Sequence, residues 1–218
     1  MSITGKEFYF ATKGLPRHEM IFVETGSHEG DTIEMALEFG FSEVRSVEIT
    51  EKWYNHCNER FDKEVASGKV KLYHGDSTNL LEKMIGKTKK RIVFWLDAHC
   101  SEGDTGGDDD QNPLVQEVKT IKKVASRNDH VIMIDDMRYI RDGRFKNNGE
   151  TLTEMQLNNL VMSINSDYKF KYSDFATSVD HGSTRQISYR STVDNRVLKL
   201  DETYFVFPDD VLYARTDW

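Results

Sequence analysis

Two apolar runs in this sequence each end in aspartate. The first run is followed by Asp97, with His99 two positions later, and the second run is followed by Asp135 and Asp136. If both runs are neighbouring parallel strands, their carboxyl ends bring three carboxylates close together. Such carboxylates repel one another unless a cation or a cationic ligand lies between them. We therefore predict a site for a cation or a positively charged ligand at Asp97, Asp135 and Asp136.

A second candidate site is the turn Glu24-x-Gly26-x-x-x-Gly30, which also contains Ser27. Glycine lets the backbone turn sharply and lets a ligand approach closely, and the start of the following helix offers free N–H groups. The turn lacks a glycine of the pyrophosphate-binding G-x-G-x-x-G pattern, and Glu24 would repel a diphosphate. The alternative is an ordinary strand-to-helix turn without a ligand.

Acidic residues also follow two further predicted strands. Glu48 ends the second strand, where a doubly wound fold places a carboxylate that accepts hydrogen bonds from ribose hydroxyls. A solvated glutamate at a strand end is the alternative. Asp76 and Ser77 follow the third strand, and they either contact a ligand or cap the next helix.

The elements that position these residues alternate between strands and helices. Predicted strands cover residues 21–23, 44–49, 70–74, 91–96, 131–134, 168–172 and 211–214. Predicted helices cover residues 32–39, 51–65, 79–84, 113–125 and 151–165. This alternation predicts an α/β fold in which the parallel strands end at one ligand-binding edge.

These motifs resemble those of a known family. The turn from Glu24 to Gly30 resembles the first motif of class I S-adenosylmethionine-dependent methyltransferases. Asp97 with Asp135-Asp136 resembles the acidic triad of their metal-dependent small-molecule O-methyltransferases, of the catechol and macrolide-sugar type. The catechol branch usually has Asp-Asn where this chain has Asp135-Asp136, so the macrolide-sugar branch is the nearer one. The resemblance covers about residues 20 to 140.

The resemblance implies a Rossmann-like doubly wound sheet of seven strands with an antiparallel last strand, and S-adenosylmethionine as the cofactor. It implies that Mg²⁺ is held by Asp97, Asp135 and Asp136. Glu24 and Glu48 would hold the polar ends of the cofactor. The full set of implied cofactor-binding residues is Glu24, Gly26, Ser27, Gly30, Glu48, Asp76, Ser77 and Asp97, with Asp76 contacting the adenine.

The implied reaction is methyl transfer to a hydroxyl group of a small molecule. This in-line displacement needs an aligned and deprotonated nucleophile. A divalent ion on the aspartates would lower the pKa of the acceptor hydroxyl. Asp97 and His99 are the candidate catalytic residues, with His99 as general base because imidazole titrates near neutral pH.

Composition limits the other possibilities. A chain of 218 residues fits one α/β domain over 1–218. No apolar run approaches the roughly 20 residues that span a bilayer, and charged residues within 1–20 exclude a secretory signal there, so we expect a cytoplasmic protein with Cys57 and Cys100 reduced. A net charge of −8 argues against a nucleic-acid partner. A homo-oligomer is left open.

Four segments lie outside the motifs. Residues 1–20 are predicted to form a helix or arm over the mouth of the fold, acting as an arm or lid. The polar loop 101–112 is either a flap over the substrate or a plain solvated loop. Residues 137–148 are basic and irregular, which suggests a substrate-facing segment. Residues 173–208 are predicted to be an insertion for substrate specificity or subunit contact, with two strand-like pieces over 186–190 and 203–207.

Two rival functions are weaker. A nicotinamide-dependent oxidoreductase would share the sheet but would need the missing glycine. A non-catalytic module would keep the fold and use the insertion as a partner surface.

Overall fold

The structure is a computed structural model that describes residues 5–98, 112–147, 149–172, 185–190, 197–202 and 211–218. In these parts of the chain the strands are β1 (Ile21–Thr25), β2 (Glu43–Glu48), β3 (Val70–His74), β4 (Ile92–Leu96), β5 (Val131–Ile134), β6 (Lys146–Asn147), β7 (Glu150–Thr151), β8 (Lys169–Tyr172), β9 (Arg185–Arg190), β10 (Val197–Glu202) and β11 (Leu212–Arg215). The α-helices are α1 (Gly5–Thr12), α2 (Asp31–Glu38), α3 (Glu51–Arg60), α4 (Asp62–Ala66), α5 (Ser77–Ile85), α6 (Leu114–Val124), α7 (Met137–Arg141) and α8 (Glu154–Met162). None of the described helices is long and apolar enough to cross a membrane.

The main sheet has seven strands in the order β3-β2-β1-β4-β5-β11-β8. The pairs from β3 through to β5 are parallel, whereas β11 is antiparallel to both of its neighbours, β5 and β8. This confirms the predicted doubly wound sheet with an antiparallel last strand. The central position of β1 and β4 follows from their sequences, because an unbroken apolar run suits a strand that is covered on both faces.

Alternation along β1 divides the core into two layers. Ile21 and Val23 face the cluster under α5, α6 and α8, whereas Phe22 faces the cluster under α1, α2 and α3. By the same period of two, Glu24 and Thr25 at the end of the strand point to opposite faces of the sheet. The two faces of the sheet therefore present different side chains to the candidate site, with Glu24 on one face and Thr25 on the other.

Helix α1 packs on a face of the sheet. Phe8 is fully buried, and its ring centroid lies 5.2 Å from that of Phe22, 4.9 Å from that of Phe39 and 5.7 Å from that of Phe41. Arg215 of β11 donates hydrogen bonds to carbonyl groups at the end of α1 and just beyond it. The amino-terminal segment is thus part of the core, and the role of lid stays a prediction.

The helix predicted over 51–65 is divided in two at Phe61, whose backbone leaves the helical region at φ −114° and ψ 31°. The break lets the Phe61 ring pack over Gly30, where an added Cβ would lie 2.7 Å from Phe61 Cε2. Contact with the glycine turn therefore outweighs helix continuity, a tertiary effect that the spacing of apolar residues does not reveal.

Residues 137–147 are not irregular, which corrects the prediction drawn from the basic residues of this segment. Met137 and Ile140 are buried at helical spacing, so α7 forms, and the short hairpin β6–β7 follows it. Helix α8 then begins three residues later than predicted, because Thr153 and Gln156 form a reciprocal capping box. The pattern of charges concealed the two apolar residues that fix α7.

Within the segment predicted to be an insertion, β9 and β10 form an antiparallel pair. Strand β9 confirms the strand expected near residues 186–190, whereas β10 was not predicted. The other predicted strand, over 203–207, lies outside the described residues.

Replacing Phe8 with alanine should lower the free energy of unfolding by about 3 kcal/mol, because a fully buried ring leaves a cavity among three aromatic neighbours. Urea unfolding measures the change. The control is Met155→Ala, since Met155 on α8 is 71% exposed. Equal stability of the two variants would show that α1 is not part of the core.

Candidate cofactor and metal site

Three aspartates meet at the carboxyl edge of β4 and β5. Asp97, Asp135 and Asp136 each offer a ligand atom, and these atoms all lie within 4.8 Å of one another. The ladder hydrogen bonds continue one step past the strands, since the Asp97 N–H donates to the Thr25 carbonyl at 3.2 Å and the Asp135 N–H to the Leu96 carbonyl at 3.2 Å. Strand pairing therefore sets the approach of the carboxylates.

Burial and mutual repulsion both act on this cluster. The pKa of Asp135 is raised well above its usual value, chiefly by burial and then by the charges of Asp97 and Asp136. Asp136 is fully buried with a left-handed backbone (φ 58°), and its N–H donates to Asp135 Oδ1 at 2.8 Å. Arg138 forms an ion pair with Asp136. The Arg138 guanidinium offsets part of the negative charge of the three aspartates. The remaining negative charge favours the binding of a further cation.

The two glycines of the turn are required by protein contacts. Gly26 has φ +87°, and an added Cβ would lie 2.9 Å from the Asp97 carbonyl oxygen. Gly30 has φ +89° and packs against Phe61. The Gly30 N–H donates to the Ser27 carbonyl at 2.8 Å, which closes the turn before α2. The turn thus lies directly against the backbone of the aspartate cluster.

Glu48 is held in place by two backbone amides. Its Oε2 accepts from the His28 N–H at 2.8 Å, and its Oε1 accepts from the Thr50 N–H at 2.8 Å. Each carboxylate oxygen keeps a second lone pair, so the group is oriented and can accept further hydrogen bonds. Glu48 is therefore not the freely solvated glutamate that was the alternative prediction.

Glu24 is an uncompensated buried acid. Both carboxylate oxygens are buried and have no hydrogen-bond partner among the described residues; the Ser46 hydroxyl lies nearby without good hydrogen-bond geometry. Burial raises the pKa of Glu24 to about 8, Ser46 lowers it, and the charges of Asp97 and Glu48 raise it further. Glu24 is therefore largely protonated at neutral pH until a cationic group binds beside it.

Asp76 caps helix α5. Its Oδ1 accepts from the Thr78 N–H and from the Thr78 hydroxyl, both at 2.7 Å, and its Oδ2 accepts from the Asn79 side-chain amide at 3.2 Å. The capping alternative is thus the arrangement seen. A contact between Asp76 and adenine stays a prediction, and Ser77 is buried at the start of α5.

His99 and most of the loop 101–112 lie outside the described residues. The site residues that the structure describes all lie at the ends of β1 to β5 or just after them. These residues form three groups along the sheet. The aspartate cluster lies at β4 and β5, the glycine turn and Glu48 lie at β1 and β2, and Asp76 and Ser77 follow β3.

Glu117 was not predicted as a site residue from the sequence. This residue lies on the buried face of α6 that Leu114, Val118 and Ile121 also form. Burial raises the pKa of Glu117 to about 7. The hydroxyls of Ser77 and Thr25 act to lower this pKa, and the charges of Asp76 and Asp97 act to raise it. An acidic residue on an otherwise apolar helix face was the signal that could have revealed it.

Comparison with protein-family models gives no match, and comparison with curated proteins gives none either. Solved structures do match. An O-methyltransferase from Bacillus cereus, in complex with SAH, has a TM-score of 0.56 at 12% identity over 98% of this chain and 82% of its own. TomG from Streptomyces achromogenes, an O-methyltransferase of tomaymycin synthesis in complex with SAM, has a TM-score of 0.58 at 11% identity over 98% and 81%.

The chain has the class I methyltransferase fold. The family resemblance noted in the sequence is confirmed at the level of the fold. The tRNA (m1A58) methyltransferase TrmI from Aquifex aeolicus shares it too, with a TM-score of 0.51 at 14% identity over 99% of this chain and 69% of its own. The methyltransferase fold by itself therefore does not distinguish a small-molecule acceptor from a nucleic acid.

Replacing Glu24 with glutamine should change how stability depends on pH. The folded pKa of Glu24 is about 8, above the value near 4.3 expected for an unfolded glutamate. Between these values the folded state holds a proton that the unfolded state has lost, so wild-type stability falls as pH rises. Relative to wild type, Glu24→Gln should gain about 2 to 5 kcal/mol between about pH 5 and pH 8.5.

Urea unfolding of the cofactor-free protein across this range measures the effect. Glu29→Gln is the control, because Glu29 is an exposed glutamate of the same turn. If Glu24→Gln and wild type lose stability in parallel as pH rises, Glu24 does not titrate as its burial requires.

Proposed function

We propose that this chain transfers a methyl group from S-adenosylmethionine to a hydroxyl group of a small molecule, with a divalent metal ion assisting. The observation that carries this proposal is the convergence of Asp97, Asp135 and Asp136 within 4.8 Å, against the glycine turn of a methyltransferase fold. Both a sulfonium cofactor and a hard cation would relieve the repulsion among these acids.

The aspartates suit a magnesium ion. Mg²⁺ prefers carboxylate oxygens at about 2.1 Å, so oxygens that lie within 4.8 Å of one another need small movements to surround one ion. The pKa of Asp135 is raised by burial and by neighbouring acids, and a bound cation would favour its ionised form. Arg138 is the competing cation on Asp136, so Asp97 and Asp135 would provide the first ligands.

The residues around the turn suit the cofactor. Glu48 is oriented by two backbone amides and would accept the two ribose hydroxyls through its remaining lone pairs. Glu24 would accept a hydrogen bond from the cofactor's amino group, since its buried oxygens lack partners among the described residues. Gly26, Ser27 and Gly30 would line the turn. Asp76, with Ser77 beside it, would contact the adenine.

The proposed reaction depends mainly on alignment of the methyl donor with the acceptor hydroxyl. Methyl transfer is an in-line displacement, and holding donor and acceptor in the reactive geometry supplies most of what a protein can add. A bound divalent ion would lower the pKa of the acceptor hydroxyl. Asp97 would orient the acceptor, and His99 would take its proton, since both follow β4 closely.

A small-molecule acceptor is supported by charge. Nucleic-acid binding depends on lysine and arginine contacts to phosphate, whereas this chain has a net charge of −8 and gathers its acids at the proposed site. The loop 101–112 as a flap, the insertion 173–208 as a specificity or subunit element and a cytoplasmic location stay predictions.

Replacing Glu48 with alanine should weaken S-adenosylmethionine binding by about 10- to 100-fold, because two charge-assisted hydrogen bonds to the ribose are lost. Isothermal titration calorimetry measures the affinity. Glu51→Ala is the control, an exposed glutamate three residues further along. Unchanged affinity in Glu48→Ala would remove the ribose assignment, and absence of binding by wild type would remove the cofactor.

Replacing Asp135 with asparagine should abolish measurable Mn²⁺ binding and lower the methyl-transfer rate, because a central ligand charge is lost while shape is kept. Mn²⁺ titration followed by electron paramagnetic resonance reports metal binding directly. Asp142→Asn, an exposed aspartate at the end of α7, is the control. Wild-type Mn²⁺ affinity in Asp135→Asn would exclude the aspartate cluster as the metal site.

A further inference from the structure

His28 lies in the glycine turn with a backbone conformation that side chains disfavour. Its φ is 45°, and in the described parts of the chain only Asp136 is another non-glycine residue with a positive φ. The left-handed region is unfavourable for residues with a Cβ, although histidine enters it more readily than most. Such strain persists where surrounding contacts hold it, and it often occurs at ligand sites. The contacts of His28 therefore indicate what the conformation is for.

The backbone of His28 directs its amide at Glu48. The His28 N–H donates to Glu48 Oε2 at 2.8 Å. The other oxygen, Oε1, accepts from the Thr50 N–H at 2.8 Å, and Thr50 follows Glu48 closely in the chain. The bond from His28 thus connects the Glu48 carboxylate to the glycine turn. Its direction depends on the His28 backbone, so a change of φ at His28 would break it.

Helix α3 holds His28 through both its ring and its carbonyl group. The ring centroids of His28 and Trp53 lie 4.4 Å apart, with the ring planes at 46°. Cys57 Sγ donates to the His28 carbonyl oxygen at 3.3 Å. Cys57 lies one helical turn after Trp53, so both contacts come from one face of α3. Burial raises the pKa of the Cys57 thiol to about 12, which keeps the S–H donor at neutral pH.

The rest of the turn is docked on the end of the same helix. Arg60, the last residue of α3, donates to the Glu29 carbonyl at 2.6 Å and to Asp31 Oδ1 at 2.8 Å. Phe61, the next residue, packs over Gly30. Each residue of the turn from the histidine to the start of α2 therefore touches α3 or the residue that follows it. The helix is in a position to set the conformation of the turn.

The ring and the amide of His28 have separate partners. The ring packs on Trp53, whereas the amide donates to Glu48. Removal of the ring by a residue that accepts a positive φ would therefore leave the amide in place. Removal of the ring by a residue that resists a positive φ would not, because nothing would then offset the strain.

We infer that His28 is a positioning residue: the packing of its ring on Trp53 maintains a left-handed backbone, which directs the His28 N–H at Glu48 and orients this carboxylate for the ribose. The last step, ribose binding, rests on the proposed function, whereas the orientation of Glu48 depends on no ligand. An acceptor that is oriented before the ligand arrives avoids the cost of ordering it on binding.

The test compares His28→Ala, His28→Gly and Trp53→Leu. Alanine removes the ring and resists the left-handed backbone, glycine removes the ring and adopts this backbone freely, and leucine removes the aromatic partner. His56→Ala is the matched control, because His56 is an exposed histidine of α3 whose ring centroid lies 5.8 Å from that of Trp53. Calorimetry measures S-adenosylhomocysteine affinity, and NMR hydrogen exchange measures protection of the amide at position 28 in the ligand-free protein.

We expect His28→Ala and Trp53→Leu to weaken S-adenosylhomocysteine binding by about 5- to 20-fold and to lower amide protection at position 28 about fivefold. His28→Gly and His56→Ala should stay within about threefold of wild type in both readouts. Trp53→Leu should have little further effect when added to His28→Gly, because glycine no longer needs the ring contact.

A second ligand tests whether the effect passes through Glu48. An S-adenosylhomocysteine analogue without the two ribose hydroxyls should bind to His28→Ala and to wild type with equal affinity, because it lacks the groups that Glu48 would accept. An equal loss for both ligands in His28→Ala would overturn the inference.

A loss in His28→Gly as large as that in His28→Ala would also overturn it, since the ring itself would then be required. If wild type does not bind S-adenosylhomocysteine, the proposed cofactor fails. Amide protection at position 28 in the ligand-free variants still decides whether Trp53 and the His28 ring hold this backbone.

Discussion

The repulsion among acids at the carboxyl edge of a parallel sheet is the constraint on which the rest of the site depends. Parallel pairing of β1, β2, β4 and β5 fixes where the strands end, and the ladder hydrogen bonds extend to Asp97 and Asp135. The backbones of Asp97 and Asp135 cannot move apart without breaking strand pairing. Their charge must therefore be offset locally, by protein groups, by protons or by a bound cation.

The acidic residues near this edge of the sheet differ in the groups that compensate their charge. Glu48 is satisfied by backbone amides, Asp76 caps a helix, and Asp136 is paired with arginine. Glu24 and Glu117 lack such compensation, and burial raises the pKa of each toward or above neutrality. Protein groups thus hold Glu48, Asp76 and Asp136 within the proposed site, whereas Glu24 has no hydrogen-bond partner among the described residues. A bound cationic cofactor would provide the partner that Glu24 lacks among the described residues.

The sequence predicted the parts that depend on local pattern. The apolar runs of β1 and β4, the glycine turn and the acids at the strand ends all followed from residue type and spacing. Helix α7 was missed because its charged residues concealed the buried apolar residues Met137 and Ile140. The division of the helix at Phe61 did not follow from the sequence because it depends on contact with Gly30, which is distant in sequence. Glu117 was missed although an acidic residue on an apolar helix face is a local signal; only the folded structure shows that it lies near the charges of Asp76 and Asp97.

A crystal structure of the protein with S-adenosylhomocysteine and Mn²⁺ tests the central claim most directly. The account predicts an anomalous difference peak in contact with the carboxylates of Asp97 and Asp135, with the nucleoside hydroxyls on Glu48. A structure in which these carboxylates bind no cation, Arg138 remains paired with Asp136 and the nucleoside lies away from Glu48 would contradict it.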